Sequence, residues 1–357
     1  MRIGKLLFFR FVVGTIFAAY ACTTFMPLSV KNAQAEKNEP IQNKEYSRAE
    51  CVMELNSRRV LYEHNGDQRL PMASTTKIAT AITVLSLCDD IGAEFSIPQE
   101  AVGVEGSSVY LQQGDVYSVE ELLYGLMLRS GNDCATALAL YCGGTVQNFA
   151  AKMNETAQKA GAMATNFRNP HGLPCDMHYT TARDLTAIAC YGMQNPCFEK
   201  IVSTKYYEPR RWKNKNKMLS GYDGAIGVKT GYTKEAGRCL VTAAKRGNMT
   251  LLCTVLNCPT MYERTATLLD DAFSAYKYQP LALKTDEFVV EENGKRKVGR
   301  LDQDVYYPLL EEEKEWIEIK TVANTSGKTR ENGKEIVGKL EIYLTKRLLF
   351  SGNLYKL

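Results

Sequence analysis

Apolar and polar positions alternate in two short runs near the start of the chain's folded part, at residues 51–55 and 59–62. A turn-forming stretch at 56–58 separates them, so the pattern predicts two neighbouring strands. An apolar run at 78–87 then predicts a buried helix. Further helices are predicted where apolar residues recur at helical spacing, which they do at 120–128, 133–140 and 181–193.

Alternating and β-branched runs return in the second half of the chain. They predict antiparallel strands at 224–230, 239–244 and 251–256, with Lys229 at a strand end, and a helix at 262–276. Beyond residue 285 the chain is strand-like, with Asn293-Gly294 and Asn332-Gly333 as hairpin turns. The predicted fold class is α/β, with an antiparallel sheet flanked by helices at 49–280, followed by a small all-β domain at 285–357.

The composition is that of a globular protein large enough for two domains, since 45% of its 357 residues are apolar and 24% are charged. The net charge is only +4 and the basic residues are scattered, so no nucleic-acid partner is expected. The three histidines form no HExxH motif, and no two cysteines have CxxC spacing. We therefore expect no metal and no cofactor.

The N-terminus has the pattern of an export signal. Arg2, Lys5 and Arg10 precede an apolar run at 11–20 that continues more weakly to residue 30, and small residues follow at Ala33 and Ala35. This predicts a signal peptide at 1–35 and a mobile linker at 36–48, hence a protein of the cell envelope, on its extracytoplasmic face or secreted. The alternative is an uncleaved segment that associates with the membrane.

Eleven cysteines are unusual for an exported chain, and ten of them follow residue 35. Disulfides are one interpretation of an even number in a secreted protein. Several of the ten, including Cys88, Cys190 and Cys253, lie in apolar runs, where a free cysteine packs as a small hydrophobic residue. We favour mostly free, buried thiols, and we assign Cys134 to packing rather than to chemistry.

Three short motifs carry the chemistry. Ser74 and Lys77 are three residues apart at the start of the first predicted helix, which places a hydroxyl and an amine on one face. A serine hydroxyl attacks only when a neighbouring group takes its proton, and a lysine does this near neutral pH only if burial or another positive charge lowers its pKa. Lys229 is the candidate for that second charge.

The other two motifs complete such a site. In Ser130-Gly131-Asn132, Ser130 is suited to relay a proton to a leaving amine, and Asn132 to orient Lys77 and a substrate carbonyl. In Lys229-Thr230-Gly231, the strand edge is suited to bind an extended peptide. The N–H groups of Ser74 and Tyr232 are candidates for an oxyanion hole. Each motif alone is weak, but all three in this order are a signature of β-lactamases and penicillin-binding proteins.

Longer segments extend the resemblance. PMASTTKIATA, LLYGLMLRSGNDCATALA, NFRNPHGLP with HYTTARDL, and AIGVKTGYTKEAGRCLVTAAKR closely resemble the serine D-alanyl-D-alanine carboxypeptidases, which are low-molecular-weight penicillin-binding proteins. The resemblance covers about residues 48–280, and it implies a transpeptidase-like domain that adds a helical subdomain to the sheet. It also implies that Ser74 is the acylated nucleophile and Lys77 its general base, with Ser130 as a third catalytic residue.

The same resemblance assigns substrate binding to six residues: Asn132, Lys229, Thr230, Gly231, Tyr232 and Arg264. Arg264 stands at the distance of a family arginine that helps hold the substrate's terminal carboxylate. His171 falls in a loop over the site, where we expect it to orient neighbours rather than to catalyse. One departure is the C-terminus, because residues 346–357 are too short and strand-like for the amphipathic membrane helix of many relatives.

The implied partners are peptidoglycan pentapeptides ending in D-Ala-D-Ala and the β-lactam antibiotics that acylate the same serine. A class A β-lactamase is one alternative, but no glutamate between Asn132 and Lys229 has the expected asparagine four residues on. A D,D-endopeptidase that cuts cross-links is a second. A catalytically silent envelope-binding protein is an alternative outside the enzymes.

Overall fold

The computed structural model describes residues 47–292, 294–324 and 330–357. The predicted signal peptide, most of the predicted linker and Asn293 of one predicted hairpin turn lie outside these residues. The last two residues of that linker are held by the fold. Arg48 donates its backbone N–H to the carbonyl of Leu256 (3.0 Å), and Ser47 is buried.

Up to residue 282 the chain forms one large sheet and the helices that pack around it. They are β1 (Ala49–Glu54), β2 (Val60–His64), α1 (Lys77–Leu87), β3 (Glu94–Ser96), β4 (Val116–Ser118), α2 (Val119–Tyr124), α3 (Asn132–Gly143), α4 (Val146–Lys159), α5 (Ala182–Met193), α6 (Pro196–Ser203), β5 (Tyr206–Tyr207), β6 (Trp212–Lys213), α7 (Met218–Gly221), β7 (Ala225–Thr233), β8 (Gly237–Arg246), β9 (Met249–Leu256), α8 (Met261–Ala275) and β10 (Lys277–Ala282).

The large sheet is antiparallel, with strand order β2-β1-β9-β8-β7. Helix α5 packs against β1 and β9 on one face, and α8 packs against β8 and β9 on the other. Strand β7 lies at an edge and runs to Thr233, because Tyr232 pairs with Arg238 and Thr233 with Gly237. Lys229 is therefore in the middle of its strand, so the prediction of a strand end was wrong.

Helices α1 to α6 pack on the α5 side of the sheet around the largest apolar core. The predicted helix at 181–193 is confirmed, with Thr181 as its N-cap accepting from the N–H of Asp184. The predicted helix at 120–128 changes character after Tyr124. There the chain continues as a π-helical turn, Gly125–Arg129, and leaves it through Ser130 in the left-handed conformation (φ 66°).

The C-terminal part of the chain is all β. Its strands are β11 (Phe288–Glu292), β12 (Lys295–Arg300), β13 (Val305–Leu309), β14 (Ile317–Ala323), β15 (Arg330–Glu331), β16 (Lys334–Leu344) and β17 (Arg347–Lys356). Strands β11, β12, β17, β16 and β14 form a sheet in that order, β15 pairs with β16, and β13 pairs with β10. This region has its own apolar core, which includes Val290, Leu340 and Leu354.

The Asn332-Gly333 hairpin is confirmed. Glu331 pairs with Lys334 across the turn, and both turn residues have positive φ (49° and 78°), as a two-residue type I′ turn requires. The predicted fold class, a transpeptidase-like domain followed by an all-β region, is confirmed as well. The domain boundary near residues 280–285 stays a prediction. In the part of the chain described, no helix has the length and hydrophobicity to span a bilayer.

Candidate active site

Ser74 lies in a 3-10 turn, Ala73–Thr76, that leads directly into α1. The residue before it, Ala73, has φ of 49°, which is unfavourable for a residue with a Cβ. Gly172 packs against this turn so closely that a Cβ there would lie 1.9 Å from the carbonyl oxygen of Ala73. Only glycine fits at 172, and its contact helps fix the turn that presents the serine.

Lys77 is completely buried, and its Nζ reaches three oxygen atoms. It lies 3.0 Å from Ser74 Oγ, 2.6 Å from Asn132 Oδ1 and 2.7 Å from the carbonyl oxygen of His171. Burial, and next the charge of Lys229, hold the pKa of Lys77 well below the usual range of a lysine. The amine is therefore available in its neutral form.

The three contacts of Lys77 match the bonding capacity of a neutral amine. Asn132 Oδ1 and the His171 carbonyl are acceptors, and they take the two N–H groups of the amine. The remaining lone pair is then left for the hydroxyl proton of Ser74. The arrangement thus orients Lys77 as a proton acceptor from the nucleophile.

The loop at 169–174 holds the His171 carbonyl in place. Asn169 Oδ1 accepts from the N–H of Gly172 (2.7 Å), and its Nδ2 donates to the carbonyl of Leu173 (3.0 Å). Thr80 Oγ1, on α1, donates to the carbonyl of Pro170 (2.6 Å). The Asn169 bonds therefore brace the loop internally on both sides of His171, and Thr80 joins the loop to the helix that carries Lys77.

The two histidines near the site are held neutral. Burial, and next the charge of Lys77, lower the pKa of His171 to about 3, and burial lowers that of His178 to about 4. His178 Nδ1 accepts from the N–H of Arg168 (3.0 Å), so its Nε2 carries the proton and donates to Thr76 Oγ1 (2.9 Å). His178 thus fixes the nucleophile turn, a role that no sequence motif indicated.

Ser130 and Asn132 lie where the π turn meets α3, and both are buried. Asn132 donates through Nδ2 to the carbonyl of Glu105 (2.5 Å) while its Oδ1 binds Lys77. The next residue, Asp133, is also buried and accepts from Ser108 Oγ and from the N–H groups of Val109 and Leu111. Asp133 therefore ties the 108–111 loop to the second motif.

Strand β7 brings the third motif against the nucleophile turn. A Cβ added to Gly231 would lie 3.0 Å from the backbone nitrogen of Ser74, so these two backbones are in close contact. Lys229 is buried, and its Nζ donates to the carbonyl of Thr230 (3.0 Å). Burial, and next the charge of Lys215, lower the pKa of Lys229 to about 7.

A cavity of about 490 Å³ opens beside Ser74. Within the described part of the chain its lining contains no carboxylate, and its charged members are Lys215 and Arg238. Four residues that the sequence analysis singled out, Ser130, Thr230, Gly231 and Tyr232, lie in its lining. The complete lining is Ser74, Ser107, Ser130, Lys215, Thr230, Gly231, Tyr232, Arg238, Met261 and Tyr262.

The structure corrects the placement of Arg264, which is not among the lining residues. Its guanidinium donates to both carboxylate oxygens of Glu50 (2.8 and 2.7 Å) and to Tyr62. Four residues are successive cross-strand partners in the large sheet: Glu50 on β1, Val255 on β9, Leu240 on β8 and Thr230 on β7. Three strand spacings therefore separate Glu50 and its ion pair from the third motif. That is roughly 14 Å across the sheet.

Arg238 stands at the cavity instead. It lies on β8 opposite Tyr232, two residues along the strand from Leu240, so it is on the same face of the sheet as the Leu240–Thr230 pair. Within the residues described, its guanidinium forms no ion pair. The sequence signal was an arginine directly before the buried run of β8, which begins at Cys239, but nothing in the sequence set it apart from other surface arginines.

The structure contains all ten described cysteines as thiols, which agrees with the expectation of free cysteines. Cys134 is completely buried, and burial raises its pKa well above the usual range, so it packs rather than reacts. No group of three or more potential metal ligands occurs in the described parts of the chain.

Comparisons with known proteins agree on one family. The profile of the family described as D-alanyl-D-alanine carboxypeptidase matches residues 33–260. The chain is 31% identical over 284 residues to the D-alanyl-D-alanine carboxypeptidase DacF of Bacillus subtilis, an alignment that covers 76% of this chain and 72% of the relative. It is 41% identical over 219 residues to the D-alanyl-D-alanine carboxypeptidase of Streptomyces sp. strain K15, covering 55% and 75%.

Among solved structures, penicillin binding protein 5 of Haemophilus influenzae superposes with a TM-score of 0.73 at 26% identity. The superposition covers 88% of this chain and 97% of that protein. The similarity therefore extends beyond the helices and sheet that carry the three motifs and includes the all-β region.

Proposed function

The chain belongs to the D-alanyl-D-alanine carboxypeptidase family, and from this premise we propose that Ser74, Lys77 and Ser130 carry out the family's reaction in the cavity described above. The protein is a serine-type hydrolase that acts on D-alanyl-D-alanine peptides of the cell wall. The observation that carries our assignment is the 3.0 Å contact between Ser74 Oγ and the buried, pKa-lowered amine of Lys77.

The reaction follows from these positions. Ser74 Oγ attacks the carbonyl of the penultimate D-alanine while its proton passes to Lys77 Nζ. The bond to the terminal D-alanine breaks, and the leaving amine takes a proton through Ser130, which lines the cavity. Water then hydrolyses the ester and releases the shortened peptide. A β-lactam would acylate Ser74 by the same first step.

The developing oxyanion needs two donors. The close contact of Gly231 with the backbone nitrogen of Ser74 supports the N–H groups of Ser74 and Tyr232 in this role, because the Gly231–Tyr232 peptide adjoins the nucleophile turn. The substrate's own backbone would pair with the edge of β7, the outermost strand of the sheet.

We assign the substrate's terminal carboxylate to Thr230 and Arg238, with Lys229 behind them. The cavity carries positive charge and no carboxylate of its own in its lining, so a free carboxylate of the substrate supplies the missing negative charge. Arg264 is a structural residue in this proposal, because Glu50 already occupies its guanidinium.

A class A β-lactamase is disfavoured by the same lining. Rapid release of a penicilloyl enzyme needs a carboxylate that activates water beside the ester. None of the described residues that line the cavity is acidic, and the loop next to Lys77 presents the His171 carbonyl. We therefore expect the acyl-enzyme formed with penicillin to be long-lived. Export through the N-terminal segment stays a prediction.

The assignment of Ser74 is tested by labelling the purified protein with a fluorescent penicillin and by measuring D-alanine release from a pentapeptide. We expect the wild type to be labelled and to release D-alanine, and Ser74→Ala to do neither while keeping its melting temperature. An unlabelled wild type would favour the envelope-binding protein instead. Rapid turnover of benzylpenicillin would point to a β-lactamase, and preferential cleavage of cross-linked dimers to an endopeptidase.

The assignment of Arg238 is tested against Arg264. We expect Arg238→Ala to raise the KM for the pentapeptide by about tenfold to a hundredfold, as loss of a charge-assisted bond predicts, and to change the KM of a C-terminally amidated analogue little. Arg264→Ala is the matched control, and it should lower the melting temperature and leave the KM unchanged. The reverse result would return the carboxylate to Arg264.

A further inference from the structure

Cys88 and Cys142 form a pair that no step of the proposed reaction uses. Their sulfur atoms are 3.1 Å apart, and both side chains are half-buried. Cys88 directly follows α1, where its N–H donates to the carbonyl of Val84 (2.9 Å), and Cys142 is the second-last residue of α3. Among the ten cysteines described, no other two sulfurs are hydrogen-bonded to each other.

The two sulfurs need to move little to bond. A disulfide requires a separation of about 2.05 Å, so closing the gap needs a change of about 1 Å, shared between two side chains that can rotate about χ1. Cys142 lies within α3 and Cys88 is the C-cap residue of α1, and α1 packs directly against α3. The pair is also half-exposed, so that small reagents can reach it, unlike the six cysteines that are buried.

We propose that Cys88 and Cys142 form a redox-dependent disulfide that joins the C-terminal ends of α1 and α3. The thiolate of one cysteine attacks an external disulfide and releases one thiol, and the second cysteine then displaces the other half. The pair loses two electrons and two protons, and the external disulfide is reduced to two thiols. Disulfide oxidants of this kind act on exported chains, whereas the cytosol keeps thiols reduced.

The position of the pair indicates what the bond does. It closes the loop from residue 88 to residue 142, which contains α2, the π turn and Ser130. Cys142 is ten residues along α3 from Asn132, and Cys88 is eleven residues along the chain from Lys77, directly after α1. At 1.5 Å per residue, each separation is about 15 Å. The bond therefore holds the far ends of the two helices and restricts the unfolded chain without touching the reacting groups.

The test begins with the wild-type protein, treated with oxidised glutathione at pH 8, alkylated and mapped by mass spectrometry. Burial, and next the hydrogen bond with Cys88, raise the pKa of Cys142, so oxidation is expected to be faster at alkaline pH. Trypsin alone leaves Cys134 and Cys142 in one peptide, 130–152, so chymotrypsin is added to separate them. We expect a linked pair of peptides containing Cys88 and Cys142.

The stability of both forms is measured in parallel. We expect the melting temperature to be several degrees higher after oxidation than after reduction with dithiothreitol, with equal rates of penicillin labelling. Cys88→Ser should abolish the difference. The control is Cys197→Ser, which removes another half-buried thiol that touches no second sulfur and should leave the difference intact.

Three results would overturn the proposal. Cys88 and Cys142 could both still react with the alkylating reagent after treatment with oxidised glutathione. Alternatively, each could be linked to a different cysteine. A linked peptide with no change in melting temperature would refute the stabilising role. The wild-type map decides the first two even if Cys88→Ser does not fold, and none of these readouts depends on the identity of the nucleophile.

Discussion

The protein buries basic side chains in two places, and their surroundings differ: one lacks an opposite charge and the other supplies one. At the active site, Lys77 and Lys229 are buried, and neither forms a hydrogen bond to a carboxylate in the parts of the chain described. Their partners are a hydroxyl, an amide oxygen and backbone carbonyls. Burial is the largest cause of the lowered pKa of both lysines.

The second place is the junction, which we define as Arg59, Glu313 and the two tyrosine rings beside them. Arg59 binds both carboxylate oxygens of Glu313 (2.8 and 2.6 Å) and the carbonyl of Pro308, and its guanidinium stacks on Tyr276 and Tyr307. Burial is the largest single influence and acts to raise the pKa of Glu313, but the hydrogen bonds from Arg59 and from the N–H of Leu310, together with the charge of Arg59, outweigh it, and the pKa is lowered. Both groups stay charged.

The difference shows what each region is built to do. An ammonium buried without an opposite charge destabilises the fold, but the same burial yields a neutral amine that accepts a proton at physiological pH. A buried ion pair with all its hydrogen bonds made gives no reactive group, but removing one partner leaves the other uncompensated. We therefore expect mutations to separate the two regions, with activity lost at one and stability at the other.

The largest effect is expected for Lys77→Met. Loss of the proton acceptor should slow acylation by penicillin by about 10²- to 10⁴-fold, the range for a general base, with a melting temperature close to that of the wild type. Lys77→Arg keeps the positive charge but has no accessible neutral form, so it should be equally slow. Labelling rates for the three proteins provide the measurement. Recovery of activity in Lys77→Arg would show that charge, rather than proton transfer, is what the site needs.

The parts of the site that the sequence predicted are those set by local spacing. Ser74 and Lys77 are neighbours on one turn, and Ser130 and Asn132 flank one helix start, so short motifs describe them well. Glycine at 231 is explained by the contact of β7 with the nucleophile turn. The antiparallel strands and most helices followed from periodicity for the same reason.

The parts that the sequence did not predict depend on distant partners. Arg264 is bound by Glu50, which lies 214 residues earlier in the chain, and counting residues from Lys229 gave no sign of that competitor. Arg59 and Glu313 are 254 residues apart. The alternating, β-branched run ends at Thr230 and so puts Lys229 at a strand end, whereas pairing with β8 extends the strand to Thr233.

The second effect in size is expected at the junction. Arg59→Met should lower the free energy of unfolding by about 3 kcal/mol, because Glu313 is left buried without its partner. Penicillin labelling at low temperature should be unchanged. The control is Arg296→Met, which breaks an ion pair of two exposed side chains with Glu291 and should cost under about 1 kcal/mol. Urea unfolding of both variants gives the comparison, and equal losses would contradict the special role of the junction.

The smallest effect is expected for Lys229→Met, which should raise the free energy of unfolding, whereas Arg59→Met should lower it. The folded protein holds the pKa of Lys229 at about 7, whereas the unfolded chain has a value near 10.4. Folding therefore opposes the charged form, and the cost grows as the pH falls from about 10 to about 7 and is constant below that. Replacing the lysine removes this cost, so the variant should be more stable than the wild type by about 2 kcal/mol at pH 6, the loss of its bond to Thr230 included.

The pH dependence distinguishes this explanation from better apolar packing. The gain of Lys229→Met should disappear by about pH 11, where the wild-type lysine is largely neutral in both the folded and the unfolded state, while a packing gain would persist. Lys234→Met, which replaces an exposed lysine between β7 and β8, should show no comparable gain at either pH. D-alanine release by Lys229→Met should fall even as its stability rises. A variant that is less stable at pH 6 would mean that Lys229 stabilises the fold in its charged form, and the contrast with Arg59 would fail.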